Sequence, residues 1–193
     1  TEAAKTEWFE PKGYDIGFRD KSIFLEKKDD LHKNDKIIDK AKNDKNLKKA
    51  ELNIKDLYSE LNAAQYDLSF EAFRYAYIGY QSLKKQHRLN DKELFSIIDF
   101  TKDCNSKRFY TIDLEKMKIV YYTYVAHGKK SGERLATSFS DVEESNKSSI
   151  GFYITGETYE GSNGYSLTLH GDEKGYNSNL AKRAVVIHTA DYA

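Results

Sequence analysis

The chain has 193 residues, of which 39% are hydrophobic and 13% aromatic, so it is long enough to bury one sizeable core. Its 31 basic and 31 acidic residues cancel, which argues against a nucleic-acid binder that depends on a broad basic field. The single cysteine, Cys104, excludes a disulfide framework or a thiolate-rich zinc site within the chain. No apolar stretch approaches the roughly 18 residues needed to cross a bilayer. Because the chain begins at Thr1 rather than at Met, we expect its natural start to be missing, and a signal peptide could have been lost with it.

Residues 1–56 are predicted to form a charged, partly helical arm. From Glu26 to Asp56 the chain is dense in Lys, Asp, Glu and Asn, and no Pro or Gly interrupts a helix. Such a segment is usually a solvated charged face, and the alternative is a role in assembly or anchoring. The preceding aromatic residues, from Trp8 to Phe18, are too numerous for a free tail and are predicted to dock on the main body.

One helix is predicted just after this arm. Ser69 is a good N-cap, and Glu71 suits the positive end of the helix dipole. Apolar residues at three- and four-residue spacing give the helix one buried face, and they are Phe73, Ala76, Tyr77, Tyr80 and Leu83. Lys84 and Lys85 lie near the other end, where cations are favoured.

The rest of the chain has the composition of strands. Segments rich in β-branched and aromatic residues are 94–99, 108–113, 118–126, 150–155, 165–170 and 184–188, and the second and third are close enough for a hairpin. Eight of the eleven glycines lie between His127 and Gly175, as expected for turns in a β-rich domain. The segment from Thr155 to Tyr165 is interpreted as a mobile loop, with a Gly-rich hairpin as the alternative.

A series of short motifs in this region resembles one known family. The motifs are Arg108-Phe109-Tyr110-Thr111-Ile112-Asp113-Leu114, Val125-Ala126-His127-Gly128, Ala136-Thr137-Ser138-Phe139-Ser140, Ser148-Ser149-Ile150-Gly151-Phe152-Tyr153 and Ala184-Val185-Val186-Ile187-His188-Thr189-Ala190-Asp191-Tyr192. In this order they resemble the L,D-transpeptidase (YkuD-type) catalytic domain, in the variant found in murein L,D-transpeptidases of Bacteroidetes-like bacteria. The resemblance covers residues 57–193, which are predicted to form the catalytic domain.

The resemblance implies a mainly β (α+β) fold, in which a β-sandwich with a mixed sheet carries one packed helix and the N-terminal arm. It implies an exported enzyme of the periplasm or cell envelope that acts on peptidoglycan stem peptides, needs no cofactor and is a carbapenem target. In this family a cysteine thiolate attacks the carbonyl between the diamino acid and the terminal D-alanine of a stem tetrapeptide. A histidine takes the thiol proton, backbone N–H groups hold the oxyanion, and an amine of a second stem accepts the acyl group.

The resemblance also implies the site residues. His188 ends an apolar run that would deliver it rigidly to the rim of a cleft, and it is predicted to be the general base. Thr189 stands where the family variant usually has Gly, and we expect it to orient the substrate. His127 and Gly128 could line the donor-peptide site, although a turn histidine without a role is an equal alternative. Tyr153 and Tyr165 are predicted substrate contacts, the latter from a flap formed by the mobile loop.

The cysteine that this chemistry needs is not in the sequence. No Ser-x-Gly-Cys motif occurs up to Ala193, and Cys104 lies in a loop without a Gly-rich oxyanion turn. One hypothesis is therefore that the nucleophile lies downstream of Ala193 and that residues 1–193 alone are inactive. The other is a non-catalytic cell-wall-binding or interaction module. His127, His170 and His188 stand at predicted strand ends but lack the close spacing of zinc ligands, so no metal site is predicted.

Overall fold

A computed structural model describes residues 45–190, and the side chains of residues 52–190. The helical elements are α1 (Lys45–Glu60), the 3₁₀ helix η1 (Ala63–Tyr66) and α2 (Phe70–Lys85). The strands are β1 (Leu94–Ile98), β2 (Phe109–Asp113), β3 (Lys118–Thr123), β4 (Ile154–Gly161), β5 (Gly164–His170) and β6 (Val186–His188). The predictions for residues 1–44, including the docking of Trp8 to Phe18, lie outside the described residues. Between residues 45 and 190 no helix has the length and hydropathy needed to span a bilayer.

Helix α2 forms where the sequence predicts it. The Ser69 hydroxyl accepts a hydrogen bond from the Ala72 N–H at 3.0 Å, which satisfies one of the unpaired donors of the first turn. The predicted apolar face is buried at Phe73, Ala76 and Tyr80. It packs against sheet residues such as Ile97, so α2 covers one face of the first sheet.

Helix α1 contains the last residues of the predicted charged arm. Its Ile54 is buried in the same hydrophobic cluster as Phe73 and Leu68, so this part of the charged segment is attached to the core. The helix runs without interruption through residue 56, where we placed the end of the arm. The division of the chain at that residue stays a prediction.

The strands form two antiparallel sheets, in the orders β1-β2-β3 and β4-β5-β6. The predicted α+β fold is confirmed, with one difference in its detail. Instead of a mixed sheet, all pairs among the strands of residues 94–188 are antiparallel, and one isolated parallel bridge joins Phe139 to Ser148. Parallel neighbours need a long crossover connection, whereas short turns join β2 to β3 and β4 to β5.

The hairpin β4-β5 corrects two predictions. β4 begins at Ile154 rather than at 150, because the backbone before it bonds to loops and Gly151 has a φ of +117°. The segment from Thr155 to Tyr165 was predicted to be a mobile loop, and this was wrong. Its residues pair in register from Thr158 opposite Leu167 to Gly161 opposite Gly164, as in the Gly-rich hairpin alternative.

A second hydrophobic cluster lies under the second sheet and positions β6. It consists of the buried residues Tyr153, Leu169, Leu180 and Val185, with Ile187 packed against them. Val185 and Leu180 are essentially inaccessible, at 1% and 0% exposure. The chain therefore enters β6 from a fixed point in the core.

Candidate active site

β6 is a three-residue strand at the edge of its sheet and carries His188 at its last position. Its pairing with β5 places Ser166 directly opposite His188 and Leu167 opposite Ile187. We predicted that the strand starts at Ala184, but it starts two residues later. Ala184 has a φ of +51° and donates its N–H to the Ala181 carbonyl, so a turn occupies that position.

The imidazole of His188 is held in one tautomer by the backbone. Its Nδ1 lies 2.7 Å from the carbonyl oxygen of Thr189. Because a carbonyl only accepts hydrogen bonds, Nδ1 carries a proton, and in the neutral ring Nε2 therefore has the lone pair. Nε2 is buried and has no hydrogen-bond partner among residues 45–190. A neutral imidazole with an unused acceptor nitrogen has the chemistry of a general base.

Thr189, the second predicted catalytic residue, contributes its backbone to this arrangement. Its carbonyl accepts the hydrogen bond from His188, and its side chain is exposed. The structure thus brings the two predicted catalytic residues together through the main chain. The hydroxyl stays available for the predicted contact with substrate.

A cavity lies on the face of this sheet opposite to His188. It has a volume of about 650 Å³ and separates the two sheets below α2. Leu167, Leu169 and Ile187 line it from β5 and β6. Successive side chains of a strand point to opposite faces, so His188 and Ser166 face away from it. His188 does not line this cavity, and a cleft beside its imidazole stays a prediction.

The two predicted tyrosine contacts are not on the His188 face. Tyr153 is 9% exposed, packs in the cluster beneath β6 and lines the large cavity. Tyr165 is 63% exposed and alternates with Ser166 along β5, so it points away from the His188 face. The structure therefore brings neither side chain to the imidazole, and their substrate contacts stay predictions.

His127 is held by protein groups at both ring nitrogens. The buried guanidinium of Arg108 lies 2.8 Å from Nδ1, and the Gly132 carbonyl lies 3.0 Å from Nε2. Since arginine only donates, Nδ1 accepts and Nε2 donates, which is the opposite tautomer to that of His188. The next residue, Gly128, donates to the Ser148 hydroxyl, and a Cβ there would lie 2.7 Å from the Asn146 carbonyl oxygen. His127 and Gly128 thus hold this loop together.

Cys104 lies near His127, whose two ring nitrogens are already hydrogen-bonded. The two residues line a cavity of about 330 Å³ together with Glu133. The Cys104 sulfur is 3.7 Å from the Glu133 carbonyl oxygen. Because both nitrogens of His127 are hydrogen-bonded, that ring cannot take the thiol proton without breaking the loop contacts.

A carboxyl group with a raised pKa lies behind β5. Burial raises the pKa of Glu173 to about 7, against hydrogen bonds from the Phe152 N–H and the Asn177 side chain that lower it. Asn177 is fully buried and also donates to the carbonyls of Ile150 and Phe152. The two side chains fasten the segment before β4, and Glu173 lines a cavity of about 410 Å³ beside α2.

Two basic side chains near the His127 loop have partners within the protein. Arg134 pairs with Asp103 at 2.8 Å, and Lys147 donates to the Ser138 hydroxyl at 2.7 Å. Among the residues that the structure describes, no three His, Cys, Asp or Glu side chains are close enough to hold a metal ion.

Sequence reasoning missed the residues that fasten the approach to His188. Arg183 is one of them, and its guanidinium binds the 140–149 loop. Ser166 is another, since it lies opposite His188. Alternation along β5 marks Ser166 as facing away from Leu167, but the register of two strands so far apart in sequence carries no local signal.

A family model described as an L,D-transpeptidase catalytic domain matches residues 64–193. None of the curated proteins or solved structures compared with the chain matches it.

Proposed function

The chain belongs to the L,D-transpeptidase catalytic-domain family, which acts on peptidoglycan, and we propose that it cross-links stem-peptide diamino acids through a cysteine acyl-enzyme. The main structural support is the Nε2 of His188, a buried acceptor nitrogen without a partner among the described residues. The nucleophile is proposed to lie in a Ser-x-Gly-Cys motif downstream of Ala193. In that position its thiol would supply the hydrogen bond that Nε2 lacks.

In the proposed acylation step, His188 Nε2 takes the thiol proton while the sulfur attacks the carbonyl carbon between the diamino acid and the terminal D-alanine. Backbone N–H groups stabilise the resulting oxyanion. The C–N bond then breaks as the imidazolium gives its proton to the leaving D-alanine amine. A thioester joins the donor stem to the enzyme.

The second step reverses the proton transfers. The amine of an acceptor diamino acid attacks the thioester, His188 accepts its proton, and the thiolate leaves as the new amide forms. Water in place of the amine gives a shortened stem, and a free D-amino acid gives exchange. The bond from Nδ1 to Thr189 keeps Nε2 as the nitrogen that moves protons in both steps.

The protonated ring also favours the reactive form of the sulfur. A cysteine pKa of about 8.5 falls to roughly 3.5–7.5 next to an imidazolium, so thiolate would be available near neutral pH. General acid–base catalysis of this kind contributes about 10²–10⁴-fold to the rate. Removing the imidazole should therefore cost the enzyme a factor in that range.

The remaining predicted site residues differ in how exposed their side chains are. Thr189 and Tyr165 are exposed and are proposed to contact stem peptides. Tyr153, His127 and Gly128 are less exposed, and they are proposed to contribute to binding of the donor stem peptide. The proposed setting of the exported protein is the periplasm or cell envelope, with carbapenems as covalent inhibitors.

Incubating the full-length protein with disaccharide tetrapeptide fragments tests the proposal. Mass spectrometry should find a dimer that has lost one D-alanine, and this dimer should form about 10²–10⁴ times more slowly with His188→Gln. Release of no D-alanine by the wild-type protein would overturn the proposal. Sedimentation with peptidoglycan in that case would favour the non-catalytic binding module.

A further inference from the structure

The position of His188 depends on very little sheet structure. β6 has three residues, and among the strands of residues 94–188 it lies at the sheet edge and pairs only with β5. A short edge strand has few hydrogen bonds to fix its register. The imidazole at its last position needs a second point of attachment upstream.

Arg183 supplies such a point, just before the turn that leads into β6. One nitrogen, Nη1, donates to the Ser140 carbonyl at 2.8 Å and to the Ser149 hydroxyl at 2.5 Å. The other, Nη2, donates to the Lys147 carbonyl at 2.7 Å and to the Ser145 hydroxyl at 3.2 Å. The guanidinium thereby ties the start of β6 to a loop more than thirty residues earlier.

The turn between Arg183 and β6 is itself constrained. The Arg183 N–H donates to the Asn179 carbonyl at 2.8 Å, and the Val185 N–H donates to the Leu180 carbonyl at 3.1 Å. Asp141, from the same loop that binds Arg183, accepts from the Asn179 N–H at 3.1 Å. Both sides of the turn are therefore hydrogen-bonded to the 140–149 loop. A displacement of that loop would displace the start of β6 as well.

We infer that Arg183 is a positioning residue that sets the register of β6 and the orientation of the His188 imidazole. The two terminal nitrogens of its planar guanidinium each donate to two acceptors of the loop, which the single ammonium of lysine cannot reproduce. The effect of Arg183 on catalysis rests on the proposed function. Its effect on the position of the imidazole does not, because that effect follows from contacts within this chain alone.

Arg183→Lys in the full-length protein tests the inference, with Arg88→Lys as the matched control. Arg88 pairs with Asp172 at 2.7 Å on the surface, so its replacement is the same chemical change without the loss of a contact to the 140–149 loop. Amide hydrogen exchange of Val186 and Ser166 should accelerate about tenfold in Arg183→Lys relative to the control, while amides of β1 and β2 keep their rates. NMR of the His188 ring nitrogens should show both tautomers in place of one.

If amide exchange accelerates equally in both sheets, Arg183 is only a general stabiliser and the inference is overturned. The inference is also overturned if the His188 tautomer and the exchange rates in β6 are both unchanged. If Arg183→Lys does not fold, Ser149→Ala removes one acceptor of the guanidinium and should move the same signals in the same direction. Carbapenem acylation adds a separate result: its maximal rate should fall about tenfold in Arg183→Lys, with the half-saturating concentration unchanged. Absence of acylation in the wild type would count against the proposed function, while the exchange and ring data still decide the role of Arg183.

Discussion

The Nδ1 of His188 lies 2.7 Å from the carbonyl oxygen of Thr189, the next residue in the chain. This contact between neighbours fixes which nitrogen carries the proton and leaves Nε2 as an acceptor with no partner among residues 45–190. The orientation of the ring therefore depends on the backbone of the residue after it. A base so oriented is ready for a proton donor that approaches from the Nε2 side.

His188 and His127 should differ in tautomer. Nδ1 donates in His188, whereas Nδ1 of His127 accepts from Arg108 and its Nε2 donates to Gly132. At a pH where both rings are neutral, NMR of the ring nitrogens should find the proton on Nδ1 in His188 and on Nε2 in His127. His188→Gln and His127→Gln assign the signals, and the same tautomer in both rings would contradict the structure.

Replacing His127 by alanine should lower stability. Arg108 is fully buried and would lose one partner of its guanidinium while keeping its bonds to the Val125 and Lys102 carbonyls. We expect a loss of about 1.5–3 kcal/mol in the free energy of unfolding, the cost of removing one charged hydrogen bond. Urea denaturation measures it, with the exposed His170→Ala as control. Equal stability of the two variants would show that the His127 ring is not needed by Arg108.

Glu173 should make stability fall as pH rises. Burial raises its pKa from 4.5 in the unfolded chain to about 7 in the folded one. Between these values the folded state binds more protons, so the free energy of unfolding decreases with increasing pH. Glu173→Gln should remove this part of the slope between pH 5 and 7. Urea denaturation at several pH values shows it, with the exposed Glu160→Gln as control, and an unchanged slope in Glu173→Gln would contradict the pKa assignment.

Ser69→Ala should destabilise the helix that covers the first sheet. The Ser69 hydroxyl accepts from the Ala72 N–H, and its loss costs about 0.5–2 kcal/mol in typical N-caps. Ser69→Asp retains an acceptor and should restore the thermal midpoint. If aspartate and alanine have the same midpoint, the cap is not what begins α2.

Local sequence patterns correctly predicted the helix and the hairpin that are determined by residues close together in the sequence. The cap at Ser69 and the spacing of Phe73, Ala76 and Tyr80 were enough to place α2, and the short connection after Asp113 was enough to place the β2-β3 hairpin. β4 was misplaced because the apolar run from Ile150 to Tyr153 resembles a strand. Its backbone instead bonds to Glu173 and Asn177, which are more than twenty residues away.

The same distinction applies to the site. His188 and Thr189 could be named from their motif, and the contact between them joins adjacent residues. The partners of Arg183 and Arg108 come from loops far along the chain, and no periodicity reveals such contacts. Which face of β5 belongs to His188 depends on the register with β6, so sequence could not show that Tyr165 points to the other face.

The rate at which a carbapenem acylates the full-length protein, followed by intact mass in the wild type and in His188→Gln, tests the central claim most directly. We predict an adduct on a cysteine downstream of Ala193 in the wild type, formed about 10²–10⁴ times more slowly in His188→Gln. Folding of the variant is checked by its thermal midpoint. No adduct in the wild type, or equal rates in the two proteins, would contradict the role of His188 as the base of an L,D-transpeptidase.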